Sequence, residues 1–415
     1  MKTHRLHDVI TSEVHARPFQ RLKAPIIITH LAVAYPNHML PLAAEAVRAM
    51  AASYGLLGEG EESQFFFIRG EKMAVRFETH NEFYSVSLLR FDLDLNADRS
   101  WIDCLPGELI CGVDVVFRKN SADLETLLHE NDTHNQIIAS EVMNGAALLW
   151  TDFVPRKETG FSRIYVEDRS LFPFQAGRLL QRICEIESYR HVALLALPQA
   201  QAAMPLITEL DGELADITHK LAQKGEDERE PAELLSELMT LAAKLGELSA
   251  ETANRFSATE AYFAMLDTRL SELREERIEG LQTVSQFMER RLEPARRTCR
   301  AADIRIERLS SRVARVTELI RSQVDLSIEQ QNRDLLKTLN SRASRQLGLQ
   351  AKLESITIIV AAYYGFDMLE RTIRNTMPND DIRTTLLMGL SFSVPFIGGA
   401  LWLYMRRVIR RYHDD

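Results

Sequence analysis

A run of 22 residues without a charged side chain, residues 384–405, constrains this chain more than any other feature of its sequence. The run reads TTLLMGLSFSVPFIGGALWLYM. Because an α-helix rises about 1.5 Å per residue, such a segment is long enough to cross a hydrocarbon core of roughly 30 Å. The run therefore predicts a transmembrane helix.

A second apolar segment, residues 355–373, precedes this run and has 12 uncharged residues before Asp367. Taken alone, it also fits a buried core helix. A single span would carry either the large N-terminal part or the arginine-rich tail across the bilayer, and the N-terminus shows no secretory signal. We therefore expect a hairpin of two transmembrane helices, which leaves both ends of the chain on one side.

The distribution of basic residues indicates on which side of the membrane the two ends lie. The tail after the second span carries four arginines, and residues 333–352 carry five Lys or Arg, whereas three arginines in the loop between the spans are offset by three acidic residues. By the positive-inside rule, both termini are expected in the cytoplasm.

Residues 1–172 predict a mixed α/β domain. Helices are expected at residues 37–52 and 123–130. In residues 72–79, Met73, Val75 and Phe77 alternate with Arg76 and other polar or small residues, which is the pattern of a half-buried strand. Short runs rich in β-branched and aromatic residues predict strands at residues 25–35, 64–69, 72–79, 82–91, 109–117 and 161–166.

Residues 173–352 predict a long helical arm and stalk. Apolar residues at three- and four-residue steps from Leu179 to Tyr189 favour an amphipathic helix, and Pro198 and Pro205 are expected to interrupt the helical region after it. The sequence GEDEREP at residues 225–231 predicts the tip of a helical hairpin. The fold class is thus α+β, with an α/β domain (1–172), a helical arm and stalk (173–352) and a transmembrane hairpin with a basic cytoplasmic tail (353–415).

The helical arm changes the sign of its charge along its length. Residues 203–267 contain 14 acidic and 5 basic residues, whereas residues 268–352 contain 18 basic and 12 acidic residues. The basic part would be attracted to anionic lipid, by about 1 kcal/mol per side chain near the surface. Pairing between acidic and basic stretches of neighbouring subunits explains the pattern equally well.

Composition and motifs exclude several classes of protein. With 59 acidic and 50 basic residues the formal charge is -9, which has the wrong sign for a surface that tracks nucleic acid. The four cysteines lack the spacing of a zinc or redox site, and the sequence contains no P-loop, GxGxxG, HExxH or nucleophile-elbow motif. We therefore expect neither an enzyme nor an organic cofactor, and no nucleic-acid partner.

Several long motifs follow one another along nearly the whole chain: EVHARP (13–18), HNEF (80–83), QAGRLLQRICEIESYRHVALLALP (175–198), NRFSATEAYFAML (254–266), RRLEPARRTC (290–299), VDLSIEQQNRDLL (324–336) and RQLGLQAKLESITIIVAAYY (345–364). These motifs resemble the bacterial membrane family called domain of unknown function 3422. The resemblance implies an address in the bacterial inner membrane and a topology, but no chemistry.

The predicted layout also resembles CorA-type magnesium channels, which are pentamers. Those proteins carry Tyr-Gly-Met-Asn at the end of the first span, where this chain has Tyr364, Gly365, Phe366 and Asp367, so two of four positions agree. The resemblance implies a homo-oligomer, with a pentamer as the expected form, and a divalent cation such as magnesium as cargo.

Polar residues of the first predicted span are the candidates for lining a pore. Glu354, Thr357 and Tyr364 fall on one stripe of a helical wheel, with Asp367 at its edge and Gly365 beside it. A polar face on a membrane helix must meet protein or water. A closely packed helix bundle with polar contacts explains the same stripe.

A second candidate cluster lies near the N-terminus. Glu13, His15 and Arg17 alternate, so an extended strand would place them on one face, and His80 and Glu82 have the same spacing. The neighbouring arginine disfavours a cation, so a bound phosphate or a salt-bridge network fits better. A structural polar cluster is the alternative, and a metal at this site stays undetermined.

These patterns lead to one leading prediction and two rivals. The leading prediction is an oligomeric inner-membrane protein that acts as a CorA-like divalent cation channel or transporter and contacts anionic lipids. The first rival is a membrane-anchored cytoplasmic scaffold or sensor without transport activity. The weaker rival is a hydrolase or binding enzyme built on the EVHARP cluster.

Overall fold

The computed structural model describes residues 4–5, 7, 19–36, 40–56, 64–95, 98–119, 137–223, 231–376 and 380–411. It is a mixed α+β protein with one nine-stranded sheet and mostly helical content. The chain divides into two compact units. The N-terminal unit comprises Met1–Arg229 and Glu233–Thr317, and the C-terminal unit comprises Glu230–Ala232 and Glu318–Asp415.

The strands of the N-terminal unit form one sheet with the order β2-β3-β4-β1-β5-β8-β7-β6-β9. Strands β5 and β8 pair in parallel, and the other neighbours are antiparallel. The strands are β1 (Ile26–Ala34), β2 (Phe65–Arg69), β3 (Met73–Thr79), β4 (Phe83–Arg90), β5 (Glu108–Lys119), β6 (Ile138–Val142), β7 (Ala147–Thr151), β8 (Ser162–Asp168) and β9 (Glu276–Arg277).

Helices make up most of the rest of the described chain. A 3₁₀ helix also spans Ser100–Cys104. The α-helices are α1 (Leu40–Ser53), α2 (Pro173–Leu194), α3 (Leu197–Ala222), α4 (Pro231–Glu272), α5 (Val284–Thr376) and α6 (Asp380–Arg411).

The sheet is buried on both faces because its central strands carry apolar residues at odd and at even positions. On one face, Val113 and Val115 of β5 belong to the same core as Leu179 and Ile183 of α2. On the opposite face, the core contains residues of α1 together with Phe77 of β3. All eight residues of β4 are buried, so the sheet has helices on both sides at its centre.

All six predicted strands are present in the structure, as β1 to β5 and β8. Strands β6 and β7, of five residues each, were not predicted. The turn between them places Met143 and Asn144 at positive φ, followed by Gly145. Asn-Gly between two apolar runs is a hairpin signal, and it would have revealed both strands.

The helical predictions are confirmed in part. Helix α1 matches the expected helix from residue 40 onward, whereas residues 37–39 and the helix predicted at 123–130 lie outside the described residues. The break at the hairpin tip is confirmed, since α3 ends at Ala222 and α4 begins at Pro231. The expected interruption at Pro205 was wrong. Helix α3 continues through it because buried Ala203 and Ile207 hold both sides against the core.

The helical region after residue 173 is not continuous. Residues 273–283 leave the helix, and two of them form β9, which pairs with β6. Helix α5 then begins with a reciprocal cap, in which Gln286 N donates to Thr283 Oγ1 and Thr283 N donates to Gln286 Oε1. Glu275 adds to this cap, since its carboxylate accepts from the backbone N–H groups of Val284 and Ser285, each at 3.0 Å.

Within the described residues, one helix is long and apolar enough to cross a membrane, over Thr384–Tyr404 of α6. Two such helices were expected. Residues 355–373, the second candidate, belong to the long helix α5. Asp367, Glu370 and Arg371 interrupt its apolar run, so it does not reach the same length and hydropathy.

Candidate functional site

A cavity of about 40 Å³, lined by both polar and apolar side chains, lies between the sheet and α2 in the N-terminal unit. We call it the His30 cavity. Strands β1, β3 and β4 supply one wall, α2 supplies the opposite wall, and residues 20–22 contribute a third side. Its polar lining consists of Gln20, His30, Arg76, Glu78, His80, Ser85, Ser87, Gln181, Cys184, Glu185, Ser188 and Tyr189.

His30 joins the two walls of this cavity. Its Nδ1 lies 2.8 Å from the Ser87 hydroxyl on β4, and its Nε2 lies 2.8 Å from the Ser188 hydroxyl on α2. Burial, with smaller contributions from the charges of Arg76 and His80, lowers the pKa of His30 to about 3. The imidazole is therefore neutral at physiological pH, with one nitrogen donating and the other accepting.

The charged side chains of the lining are paired. Arg76 Nη2 donates to Glu78 at 2.8 Å, and Arg76 Nη1 donates to the amide oxygen of Gln181 at 2.5 Å. Glu185 accepts from Arg269 of α4 and from Gln181 Nε2. Because these groups neutralise one another, the cavity has polar walls without an excess of either charge.

Strand register explains why polar groups meet at this point. His30 of β1 and Arg76 of β3 both lie opposite Ser87 of the intervening β4. Successive side chains of a strand alternate between faces, so Ser85 and Glu78 fall on that same face. The pattern that predicted a half-buried β3 was right about the alternation. Its polar face, however, lies beneath α2 rather than in solvent.

A glycine on α2 lets the chain close one side of the cavity. A Cβ at Gly177 would come within 1.8 Å of the Gln20 carbonyl oxygen, so only glycine permits this close approach. The Leu22 N–H then donates to the Pro173 carbonyl at the start of α2, at 3.0 Å. These contacts fix residues 20–22 along the edge of the cavity.

The geometry is suited to binding rather than to nucleophilic catalysis. Both nitrogens of His30 are taken by serine hydroxyls, and no carboxylate of the described residues orients the ring. An imidazole with a pKa of about 3 is also a weak base at neutral pH. Burial raises the pKa of Cys184, so its thiol stays protonated and does not act as a nucleophile.

Sequence reasoning identified only His80 among the residues of this cavity. His80 stacks on Phe83 with ring centroids 4.2 Å apart and meets the edge of Tyr189. The signal for the others was a histidine or serine within an otherwise apolar buried strand, as in IIITHLAVA and FYSVSLLR. Such a residue needs a buried partner, and that partner is on α2.

The predicted N-terminal cluster is described only in part. Glu13, His15 and Arg17 lie outside the described residues. Glu82 pairs with Arg255 of α4 at 2.5 Å, so it forms a bridge between the β3–β4 turn and a helix. His80 and Glu82 therefore differ in role, since His80 lines the cavity and Glu82 does not.

The pore candidates all lie on α5 in the C-terminal unit. Glu354, Thr357, Tyr364 and Gly365 are exposed there, and the Thr357 hydroxyl donates to the backbone carbonyl of Leu353 at 3.0 Å. Asp367 forms an ion pair with Arg371 one turn further along, at 3.1 Å. Among the residues that the structure describes, no three His, Cys, Asp or Glu side chains are grouped so that they could hold a metal ion.

The fold and the site together define an α+β protein with a cavity between its sheet and a helix, and with a helical unit that carries one long apolar helix. The chain matches the family described as "Protein of unknown function (DUF3422)" over residues 2–412, and it belongs to that family. No curated protein matches the chain.

Proposed function

We propose that this chain is a membrane-anchored protein of the bacterial inner membrane, whose N-terminal unit acts in the cytoplasm as a sensor or scaffold. The observation that supports it best is the apolar window Thr384–Tyr404, of which no part is buried inside the chain. Phe392 and Phe396 are 75% and 79% exposed. An uncovered apolar helix of this length requires an apolar environment, and a bilayer supplies one.

The end of α6 has the residues of a membrane interface. Trp402 and Tyr404 close the apolar window, and the guanidinium of Arg406 lies 5.1 Å from the centre of the Trp402 ring. Aromatic and basic residues are enriched where helices leave the hydrocarbon core. This arrangement supports the proposal that the C-terminal tail lies on the cytoplasmic side.

We extend the proposal to a hairpin in which residues 355–373 of α5 form the second span. The acidic residues that interrupt this segment form ion pairs with arginines one turn further along the helix. Asp367 pairs with Arg371 and Glu370 with Arg374, the latter at 2.6 Å. Paired charges near a helix end cost much less in a membrane than isolated charges at its centre.

Two charges placed in the middle of α6 test the anchor. We expect the double variant Phe392→Arg/Phe396→Arg to lose carbonate-resistant membrane association, because each Arg costs about 2.5–3.5 kcal/mol at the centre of a span. The control is Leu206→Arg on α3, where an exposed leucine is replaced outside the C-terminal unit. Retention of the double variant in the membrane pellet would contradict the proposal.

A reporter fusion tests the proposed orientation of the chain in the membrane. A reporter fused to the C-terminus is expected to be active in the cytoplasm, since four arginines follow the apolar window of α6. A reporter that is active only in the periplasm would contradict the proposed orientation and the hairpin.

The second candidate function is a CorA-like channel for divalent cations such as magnesium. The observation that favours it is that Glu354, Thr357 and Tyr364 are exposed on one helix and are free to face other copies of the chain. This function requires a closed homo-oligomer, with a pentamer expected, because one hairpin cannot enclose an aqueous path.

Flux of divalent cations into liposomes separates the two functions. A channel predicts flux that weakens in Asp367→Asn and changes in Glu354→Gln, together with an oligomeric mass in mild detergent. A monomer, or an oligomer without flux, would reject the channel and leave the anchored sensor or scaffold.

A further inference from the structure

The His30 cavity is lined by two residues, Ser85 and Tyr189, whose hydroxyl groups make no hydrogen bond within the described part of the chain. Ser85 is 8% exposed and Tyr189 is 6% exposed, and both line the cavity. Within the described part of the chain, neither hydroxyl makes a hydrogen bond, although Ser87 and Ser188 beside them both bond to His30. Both hydroxyls line the cavity and have their hydrogen-bonding capacity unused, so both are available to bond a molecule that enters it.

The size of the cavity limits that occupant. A volume of about 40 Å³ has room for on the order of three water molecules, given roughly 10–15 Å³ for each. A molecule with the dimensions of glycerol or acetamide fills a space of this kind. The wall formed by residues 20–22 packs closely against α2 at Gly177, which limits the space on that side.

The electrostatics of the lining limit its charge. Arg76 is occupied by Glu78 and Gln181, and Glu185 is occupied by Arg269. A charged ligand would have to compete with these ion pairs, whereas an uncharged one leaves them intact. Burial also raises the pKa of Tyr189, so its hydroxyl keeps its proton and can both donate and accept at neutral pH.

We infer that the His30 cavity is a binding site for a compact uncharged molecule bearing hydroxyl or amide groups, held by the hydroxyls of Ser85 and Tyr189. The apolar part of the lining, which includes Ile28, Leu89 and Leu180, contacts the carbon atoms of such a molecule. The inference concerns the N-terminal unit and does not depend on the membrane proposal.

The test uses the full chain, purified in detergent without glycerol, and saturation-transfer NMR of four small probes. Acetamide and glycerol are the uncharged probes. Acetate and acetamidinium are the charged probes, and they match acetamide closely in shape. We expect saturable binding of at least one uncharged probe, and weaker binding of both charged probes.

Two variants locate the binding. Tyr189→Phe and Ser85→Ala each remove one hydroxyl, so each should weaken binding of the uncharged probe by about three- to tenfold, the range for one lost hydrogen bond. The matched control is Tyr84→Phe, because the Tyr84 hydroxyl donates to the Pro106 carbonyl at 2.6 Å and its ring belongs to the core on the opposite face of the sheet. Ser85→Ala keeps the test valid if Tyr189→Phe does not fold.

Three results would overturn the inference. The first is that neither uncharged probe binds saturably, which would mean that the cavity holds water alone. The second is that acetate or acetamidinium binds as tightly as acetamide. The third is that binding is unchanged in both cavity variants, or is weakened equally by Tyr84→Phe.

Discussion

The two compact units of this protein differ in how they bury apolar and charged side chains. In the N-terminal unit Phe77 is fully buried between the sheet and α1, whereas in the C-terminal unit Phe396 is largely exposed on α6. Charged groups differ as well, since Asp114 is buried in the first unit and the Glu329–Arg333 pair is exposed in the second. The N-terminal unit is thus completed by its own core, while the apolar window of the C-terminal unit, Thr384–Tyr404, is not buried by any described part of the chain.

The difference shows that the same residue type stabilises the two units by different means. Burial of a phenylalanine within the chain stabilises the folded state in water. An exposed phenylalanine on a long helix contributes to stability only where lipid or another chain covers it. The two units should therefore respond differently to identical substitutions.

The largest effect is expected from deleting a buried aromatic ring. Phe77→Ala should lower the free energy of unfolding of the N-terminal unit by about 3–5 kcal/mol, because it removes contacts and leaves a cavity. Phe396→Ala is the matched change in the C-terminal unit, and it should alter that free energy by less than about 0.5 kcal/mol. Chemical denaturation in detergent, followed by near-ultraviolet circular dichroism, measures both. Equal losses would break the comparison.

Removal of a buried charge should lower the free energy of unfolding of the N-terminal unit almost as much. Asp114 accepts from Arg99 at 2.8 Å and from the Thr29 hydroxyl at 3.0 Å. Asp114→Asn should lower the free energy of unfolding by about 3 kcal/mol, because it leaves the Arg99 guanidinium without its counter-charge. Asp334→Asn, on an exposed stretch of α5, should cost less than about 0.5 kcal/mol. A small effect of Asp114→Asn would show that solvent reaches this ion pair.

The two units also differ in how far sequence reasoning reached. Six strands were predicted from short runs such as residues 82–91, since their apolar period is local and survives in the fold. The long helices were predicted from the same kind of pattern. The apolar run at residues 384–405 predicted a transmembrane helix from hydropathy alone. The structure has a helix there that is long and apolar enough to cross a membrane, and the crossing itself stays a prediction.

The cavity could not be predicted in this way because its contacts are not local. His30 and Ser188 bond across 158 positions of sequence, and Arg76 and Gln181 across 105. The pattern of β3 gives the face on which Arg76 lies, but not which helix covers that face. Only the tertiary arrangement of α2 turns an apparent solvent face into a buried polar site.

The burial of His30 should make the N-terminal unit sensitive to acid. Its pKa is about 3 in the folded state and 6.5 in the unfolded state, so below pH 6.5 the unfolded chain binds the proton more readily. Stability is therefore lost as pH falls from 6.5 toward 3, and nothing is lost at higher pH. Between pH 7.5 and pH 5 this amounts to about 2 kcal/mol.

Denaturation curves at these two pH values measure the loss, with His30→Gln as the comparison. The variant removes the titrating group and keeps a side chain that can donate to one serine and accept from the other. We expect the parent to lose about 2 kcal/mol more than the variant on acidification. An equal loss in the two proteins would show that His30 is protonated without unfolding.

The smallest effect concerns α5, a helix that begins in the N-terminal unit and continues into the C-terminal unit. The Glu275 carboxylate caps the start of this helix and also accepts from the Ser140 hydroxyl at 2.7 Å. Glu275→Gln weakens the cap and removes a negative charge from the helix N-terminus, which should cost the N-terminal unit about 1 kcal/mol. Glu329→Gln, further along the same helix, removes an equal charge from an exposed site and serves as the control. If the anchor depends on its own apolar helix, the carbonate-resistant fraction stays at the parent level in both variants. Loss of membrane association in Glu275→Gln alone would show instead that the capped end of α5 controls the C-terminal unit.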